Sequence, residues 1–167
     1  MRALVLGAET PAGRALAAAL VAAGPRIALV AAGADAAAAF EVQRLSRRLG
    51  ALSQAIDATN EMAVRVMTRQ VAKALGGLDA LFFCADLGAA TAEALALACR
   101  FAAREMARTG GGVIVVALPA GAVADVGPLA AEHAPKGVRL LAADAPPHPD
   151  EAWARSVLAR RADPPHP

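Results

Sequence analysis

Near its start the chain reads Ala3-Leu4-Val5-Leu6-Gly7-Ala8-Glu9-Thr10-Pro11-Ala12-Gly13-Arg14 and runs on in Ala, Leu and Val to Ala23. The first four residues are a short apolar run closed by Gly, the pattern of a buried strand. Past Gly13 the period changes. Leu16 and Leu20 stack at i, i+4 and predict a helix over Ala12–Ala23. The turn between carries helix-start chemistry, with Thr10 as N-cap and Pro11 at the first helical position, where a missing N–H costs nothing. A Gly closing a strand and another opening a helix are also where a doubly wound fold seats a pyrophosphate, on the free N–H groups of the helix. Spacing alone leaves both readings open.

The same unit recurs along the chain. Further strands read at Ile27–Val30, Leu52–Ile56, Ala80–Cys84, Val113–Leu118 and Val138–Ala142. Helices read at Ala36–Leu49, Asn60–Leu75, Thr91–Arg108 and Asp150–Arg161, the last opened by Asp150 as N-cap. The strands are continuously apolar and do not alternate, and each is followed by a helix, so the sheet is parallel and covered on both faces. Right-handed crossovers then give an α/β, Rossmann-like, doubly wound sheet of order 3-2-1-4-5-6, shortened, in one domain over residues 1–161. The tail from Ala162 to Pro167 reads as disordered.

Of 167 residues 48 are Ala, which raises mean hydropathy without the bulk of a membrane protein. The longest uncharged stretch, Thr109–Ala124, holds four Gly and a Pro and is shorter than the ~18–20 apolar residues of a bilayer span. Glu9 follows the amino terminus too closely for a secretory segment, so a cytosolic globular domain is expected. Net charge is +2, with the basic side almost all Arg. The one tight cluster, Arg44, Arg47 and Arg48 beside Glu41, has helical spacing and no interleaved aromatics; it reads as a solvated helix face and not a nucleic-acid patch. Cys84 and Cys99 lie in apolar surroundings and read as buried free thiols, with no zinc spacing.

Five landmarks in order carry a family resemblance: Gly7 through Arg14; Asp57-Ala58-Thr59; Gly76-Gly77-Leu78-Asp79-Ala80-Leu81; Gly111-Gly112-Val113-Ile114-Val115; and Ala134-Pro135-Lys136-Gly137-Val138-Arg139. Together they resemble the short-chain dehydrogenase/reductase family as far as Pro146. The resemblance implies a Rossmann-type sheet, NAD(H) or NADP(H) as cofactor, oxidoreductase chemistry, and assembly into dimers or tetramers. It places Gly7, Gly13, Arg14, Asp57 and Ala85 in the cofactor site, with Asp57 on the adenine; an Asp in a turn before a helix is the other reading of that residue.

The family's functional pattern is broken at several positions. Pro11 stands where the middle Gly of the turn would be, adding a ring and removing a donor. Ala31-Ala32-Gly33 follows strand two, where the family has an Asp for the ribose or an Arg for a 2′-phosphate. The family's proton donor is a Tyr, with a Lys four residues on and a Ser after strand five. This chain has no Tyr at all, and Ala117-Leu118-Pro119 follows strand five. Thr91 takes the place of a catalytic Asn. The segments 86–91 and 119–134 are too short for the helices the family carries there. His133, with Glu132 and Asp125, is the remaining acid–base set, on what reads as the exposed end of a residual helix. His148 and His166 lie in Pro-rich, solvated segments.

No catalytic residue is therefore assigned, and three functions stay open. The first is a non-catalytic structural or regulatory subunit, pairing with itself or with a longer relative through Leu95, Cys99, Ala102 and Met106. The others are an NAD(P)-dependent oxidoreductase that borrows residues from a partner, and a dinucleotide-binding sensor without chemistry. NAD, NADP or no cofactor at all is compatible with the residues. Neither a nucleic acid nor a membrane span is expected.

Overall fold

The computed structural model describes residues 1–24, 26–122 and 125–160; the expected tail, 162–167, and His166 in it lie outside them. Six parallel strands are ordered β3-β2-β1-β4-β5-β6. They are β1 (Arg2–Leu6), β2 (Arg26–Ala31), β3 (Leu52–Ala55), β4 (Ala80–Phe83), β5 (Gly112–Leu118) and β6 (Val138–Asp144). Between and after them run α1 (Pro11–Ala22), α2 (Ala36–Leu49), α3 (Glu61–Leu75), α4 (Thr91–Ala107), α5 (Gly127–His133) and α6 (Glu151–Arg160). The anticipated strand order is the observed one.

Successive strand residues point to opposite faces. Leu4, Leu6, Leu81, Phe83, Ile114 and Val116 therefore enter one core layer, with α3, α4 and α5. Ala3, Val5, Ala80, Phe82, Val113 and Val115 enter the other, with α1, α2 and α6. Both layers are closed, which is why the central strands carry no polar alternation. The edge strand β3 is the exception: Leu52, Ser53 and Ala55 are exposed.

Short polar side chains begin the helices, at Thr10 and Asp150 as the sequence indicated and at Asp35 and Asn60 besides. Thr10, Asp35 and Asn60 accept from Gly13 N, Ala37 N and Ala63 N. Asp150 Oδ1 accepts from Trp153 N at 2.7 Å. The Arg44 cluster is the solvated face expected, with Arg44 Nη2 2.8 Å from Glu41 Oε1 in water.

Two expectations fail. Leu95, Cys99, Ala102 and Met106 do not form an outward stripe. Their exposures are 0%, 0%, 1% and 0%, and they lie in the same core layer as Leu81 and Phe83. The stripe faces the sheet because it is the most apolar side of α4, and the sheet is the largest apolar surface within its reach. The outer side of α4 carries Glu93, Arg100 and Arg104, all exposed. His133 is likewise no exposed helix end. It is 0% exposed, because α5 packs against α4 and β6. Lys136 Nζ donates to its Nδ1 at 3.3 Å, which leaves the ring proton on Nε2. That nitrogen is buried without a hydrogen-bond partner, its nearest carboxylate oxygen being Glu132 Oε1 at 3.9 Å. Burial, with Lys136 adding to it, lowers the His133 pKa against a weaker opposing pull from Glu132.

Candidate functional site

The strand order reverses between β1 and β4, and in an open parallel sheet ligands bind beyond the carboxyl ends of the strands at that point. A cavity of about 670 Å³ lies there. One side is the β1–α1 turn (Thr10, Pro11, Ala12), and the floor is Cys84 and Asp86 after β4. The other side is Ala117 near the end of β5 with Pro119 and Ala120 beyond it, and Asp144 at the end of β6 with Ala145 to Pro147 beyond it. A second pocket, about 310 Å³, opens beyond β2 and β3, between Gly33, Asp35 and Ala36 on one side and Ala55 to Asp57 on the other. The two lie on either side of the β1–α1 turn.

That turn is held largely by its own hydrogen bonds. Thr10 Oγ1 donates to Gly7 O at 2.8 Å and accepts from Gly13 N at 3.0 Å. Arg14 N is already bonded to Thr10 O at 2.9 Å, and Pro11 has no N–H. Of the four donors that open α1, Ala12 N–H alone remains for a ligand. Gly7 has φ 87°, and a Cβ on it would stand 2.5 Å from Ala85 N. A Cβ on Gly13 would stand 2.2 Å from Gly7 O. Both glycines are thus required by the close approach of the chain to itself.

Glu9 lies in the same turn and reaches away from it. Its Oε1 accepts from Ala32 N at the end of β2, at 2.9 Å, while Oε2 is buried with no partner. Its charge is felt at Cys84, whose thiol is pushed far up by burial, with Glu9 adding to the effect. Burial likewise pushes the Cys99 thiol up to about 12, with Glu132 contributing. Both sulfurs are free, buried and protonated, so neither is a nucleophile. Among the described residues no group of His, Cys, Asp and Glu is arranged to hold a metal ion. No helix among them is long and apolar enough to cross a membrane.

A sequence model of the short chain dehydrogenase family matches residues 1–96, more than half of the chain. The chain belongs to the short chain dehydrogenase family. No protein of curated function matches it. Solved structures share the fold. A short-chain type dehydrogenase/reductase from Mycobacterium marinum superposes with a TM-score of 0.70 at 23% identity, over 86% of this chain and 73% of that one. A 3-ketoacyl-ACP reductase from Sinorhizobium meliloti 1021 gives 0.71 at 22%, over 84% and 69%. The TT0495 protein from Thermus thermophilus gives 0.72 at 23%, over 97% and 91%.

Within this family member the five residues marked for the cofactor are spread over the site. Gly7 and Ala85 meet at its base, and Gly13 closes α1 onto Gly7. Arg14 is exposed and turns back to donate to the Glu9 carbonyl. Asp57 lines the smaller pocket. Its Oδ1 accepts from Thr59 Oγ1 at 2.6 Å and Thr59 N at 2.9 Å, bonds that lower its pKa. Thr91 spends its hydroxyl on Leu87 N at 2.8 Å. None of His133, Glu132 and Asp125 lines the large cavity. Lys136 precedes β6 at its amino end, a strand length from the cavity, roughly 20 Å for seven residues. Lys73 sits in the last turn of α3, which leads into the amino end of β4. Glu9 was missed because its sequence position is a turn; only the contact with Ala32 reveals a carboxylate at the end of β2.

Proposed function

We propose that this chain is a dinucleotide-binding member of its family that carries out no hydride transfer by itself and acts as a sensor or regulatory subunit. The observation that carries the reading is the make-up of the large cavity. Where a carbonyl or alcohol would meet a nicotinamide, the walls are Ala117, Pro119 and Ala120. The hydroxyl of Thr10 is engaged within its turn, and the Cys84 thiol is held protonated. Asp86 and Asp144 are the ionisable groups present, and two carboxylates without a phenol or ammonium do not reproduce the family's proton relay. The chain has no Tyr, and both of its Lys lie toward the opposite end of the sheet.

For the cofactor itself, the residues fit the adenosine end. The pocket between Asp35 and Asp57 is open, and Ala12 N–H remains at the helix start for a pyrophosphate oxygen. A bound nicotinamide would supply the hydride chemistry; this chain's own side chains bind and orient. Pro11 and the self-capping by Thr10 reduce the phosphate contacts, so binding is expected to be weak.

The test is a pair of measurements on the whole chain. NADH binding is read from quenching of the single Trp, Trp153, whose indole N–H donates to the Asp144 carbonyl at the cavity rim, 3.0 Å away. Turnover is read as loss of NADH absorbance against a panel of ketones and aldehydes. Binding without turnover is expected. Turnover by the isolated chain would overturn the reading, and so would the absence of any binding at millimolar NADH.

A subunit role, with itself or a longer relative, now rests on a different surface from the α4 stripe. Phe40 (70% exposed), Met62 (61%), Leu52 (45%) and Val66 (44%) project around the β3 edge. Native mass spectrometry of the protein from its own cells tests that reading; a bare monomer would remove it.

A further inference from the structure

We infer, resting on the subunit reading above and deepening it, that the partner of the β3 edge is a second copy of this chain. The two β3 strands pair antiparallel about a two-fold axis normal to the sheet. In one copy β3 is bonded on one side only, to β2. Ile56 N donates to Ala31 O across that pair. By the alternation of a parallel ladder Gln54 and Leu52 also address β2, and the N–H and C=O groups of Ser53 and Ala55 point outward. Both of those residues are exposed. Edge strands are ordinarily protected by Lys, Pro, a bulge or a covering segment, but Leu52-Ser53-Gln54-Ala55 has neither charge nor Pro. Among the described residues, four of the five exposed large apolar side chains, Phe40, Leu52, Met62 and Val66, belong to β3 and the two helices beside it. The opposite edge differs: β6 carries Arg139 and Asp144, and none of the five belongs to it, to α5 or to α6.

One register satisfies the outward groups. With Ser53 opposite Ala55 of the second copy, the pair exchanges both N–H···O bonds, and the two-fold repeats the exchange. Gln54 then meets its own copy on the axis, and Leu52 lies opposite Ile56. Leu52, Gln54 and Ile56 share the α3 face of the sheet, where Gln54 Nε2 donates to Gln70 Oε1 at 3.3 Å. A hollow of about 330 Å³ opens there beside Val66. On the α2 face a hollow of about 290 Å³ opens beside Phe40. Phe40 and Val66 line these hollows together with Gln54, so they stand level with the axis and each faces its own copy across it. The charges agree with this setting. The axis turns each helix antiparallel to its copy, which brings the Asp35 cap of one α2 toward Arg47 in the last turn of the other. It likewise brings Glu61 at the start of one α3 toward Lys73 at the end of the other. The seam is short, so a dimer of micromolar affinity is expected.

The experiment is sedimentation equilibrium of the intact recombinant chain from about 1 to 200 µM. Wild type should pass from monomer to dimer across that range. Ser53→Pro removes an outward N–H that one copy leaves unbonded, and Pro is tolerated on an edge strand. Phe40→Lys changes a side chain 70% exposed. Each should weaken the dimer by about tenfold or more, with circular dichroism showing the fold retained. The register has its own readout. Under mild oxidation Gln54→Cys should give a disulfide-linked dimer, because a directly opposed pair on the axis lies within disulfide reach, and Ser53→Cys should not. A wild type monomeric throughout, a dimer unaffected by both folded variants, or linkage through Ser53→Cys in place of Gln54→Cys would overturn the inference. A monomeric recombinant chain that is found bound to a longer relative in its own cells would overturn the inference and leave the subunit reading standing; a monomer in both settings would remove the two together.

Discussion

Replacing Gly13 by Ala separates a glycine needed by a ligand from one needed by the fold. Ala is the better helix residue by about 1 kcal/mol, and Gly13 does not lie in the left-handed region, so local propensity alone predicts stabilisation. Packing predicts the reverse. The new methyl would lie 2.2 Å from Gly7 O, 2.7 Å from Ala8 Cα and 2.9 Å from Gly7 C. All three are backbone atoms of the β1–α1 turn, so no side chain can swing aside. Relief requires the first turn of α1 to move by about 1 Å, which breaks the 3.0 Å bond from Gly13 N to Thr10 Oγ1. Losing that cap costs about 1 kcal/mol, and overpacking costs roughly 1–3 kcal/mol. Against the propensity gain, the net is a destabilisation of about 2 kcal/mol, or a fall of roughly 4–8 °C in Tm for a chain of this size. Gly33→Ala is the matched control, because its Cβ would meet nothing within 4 Å and it should gain about 0.4–1 kcal/mol through the unfolded chain. Thermal unfolding followed by circular dichroism, without ligand, reads both. A Gly13→Ala protein as stable as wild type would refute the close approach and return the glycine to the ligand.

Ala102→Arg places a guanidinium in the layer beneath α4, and more than about 4 kcal/mol of stability should be lost. Exposed Ala92→Arg on the same helix should stay within about 0.5 kcal/mol of wild type; a folded Ala102→Arg protein altered only in assembly mass would show that the stripe faces outward. His133 sets a pH dependence. Its folded pKa is lowered, so the unfolded chain takes up a proton near pH 6.5 that the folded chain resists. Stability is complete above that pH and declines as pH falls toward the folded value, in a range where ordinary carboxylates stay charged. Urea midpoints at pH 7.5 and 5.5 should drop for wild type and much less for His133→Gln; equal drops in both would remove His133 as the cause.

The legible part of this molecule is what the sheet imposes. Strands covered on both faces must be apolar at every position, so β1, β4 and β5 declare themselves, and Thr10 and Asp150 mark helix starts by local chemistry. Direction across a helix is less legible. The Leu95–Met106 stripe is apolar whether it meets a sheet or a partner, and only the tertiary arrangement, with α4 laid on Leu81 and Phe83, decides between them. His133 fails for the same reason: Ala130-Ala131-Glu132-His133 reads as polar at its end, yet α4 and β6 close over the ring. Glu9 was hidden differently. Its partner, Ala32, is 23 residues away and contributes only a backbone N–H, which no side-chain pattern records.

The distribution of charge about the cleft agrees with the proposed sensor role. Beyond the carboxyl ends of the strands stand Glu9, Asp35, Asp57, Asp86 and Asp144, while Arg2, Arg26, Lys136 and Arg139 mark the amino ends. Set against these carboxylates is Arg14, exposed at the same turn, so the cleft is acidic on balance, and the helix start that would offset it has given up donors to Pro11 and Thr10. A ligand there is penalised for each phosphate it carries, since like charges at short range inside a low-dielectric cleft are costly. An acidic cleft with one free helix donor would hold a dinucleotide weakly and release it readily, as the proposed sensor role requires.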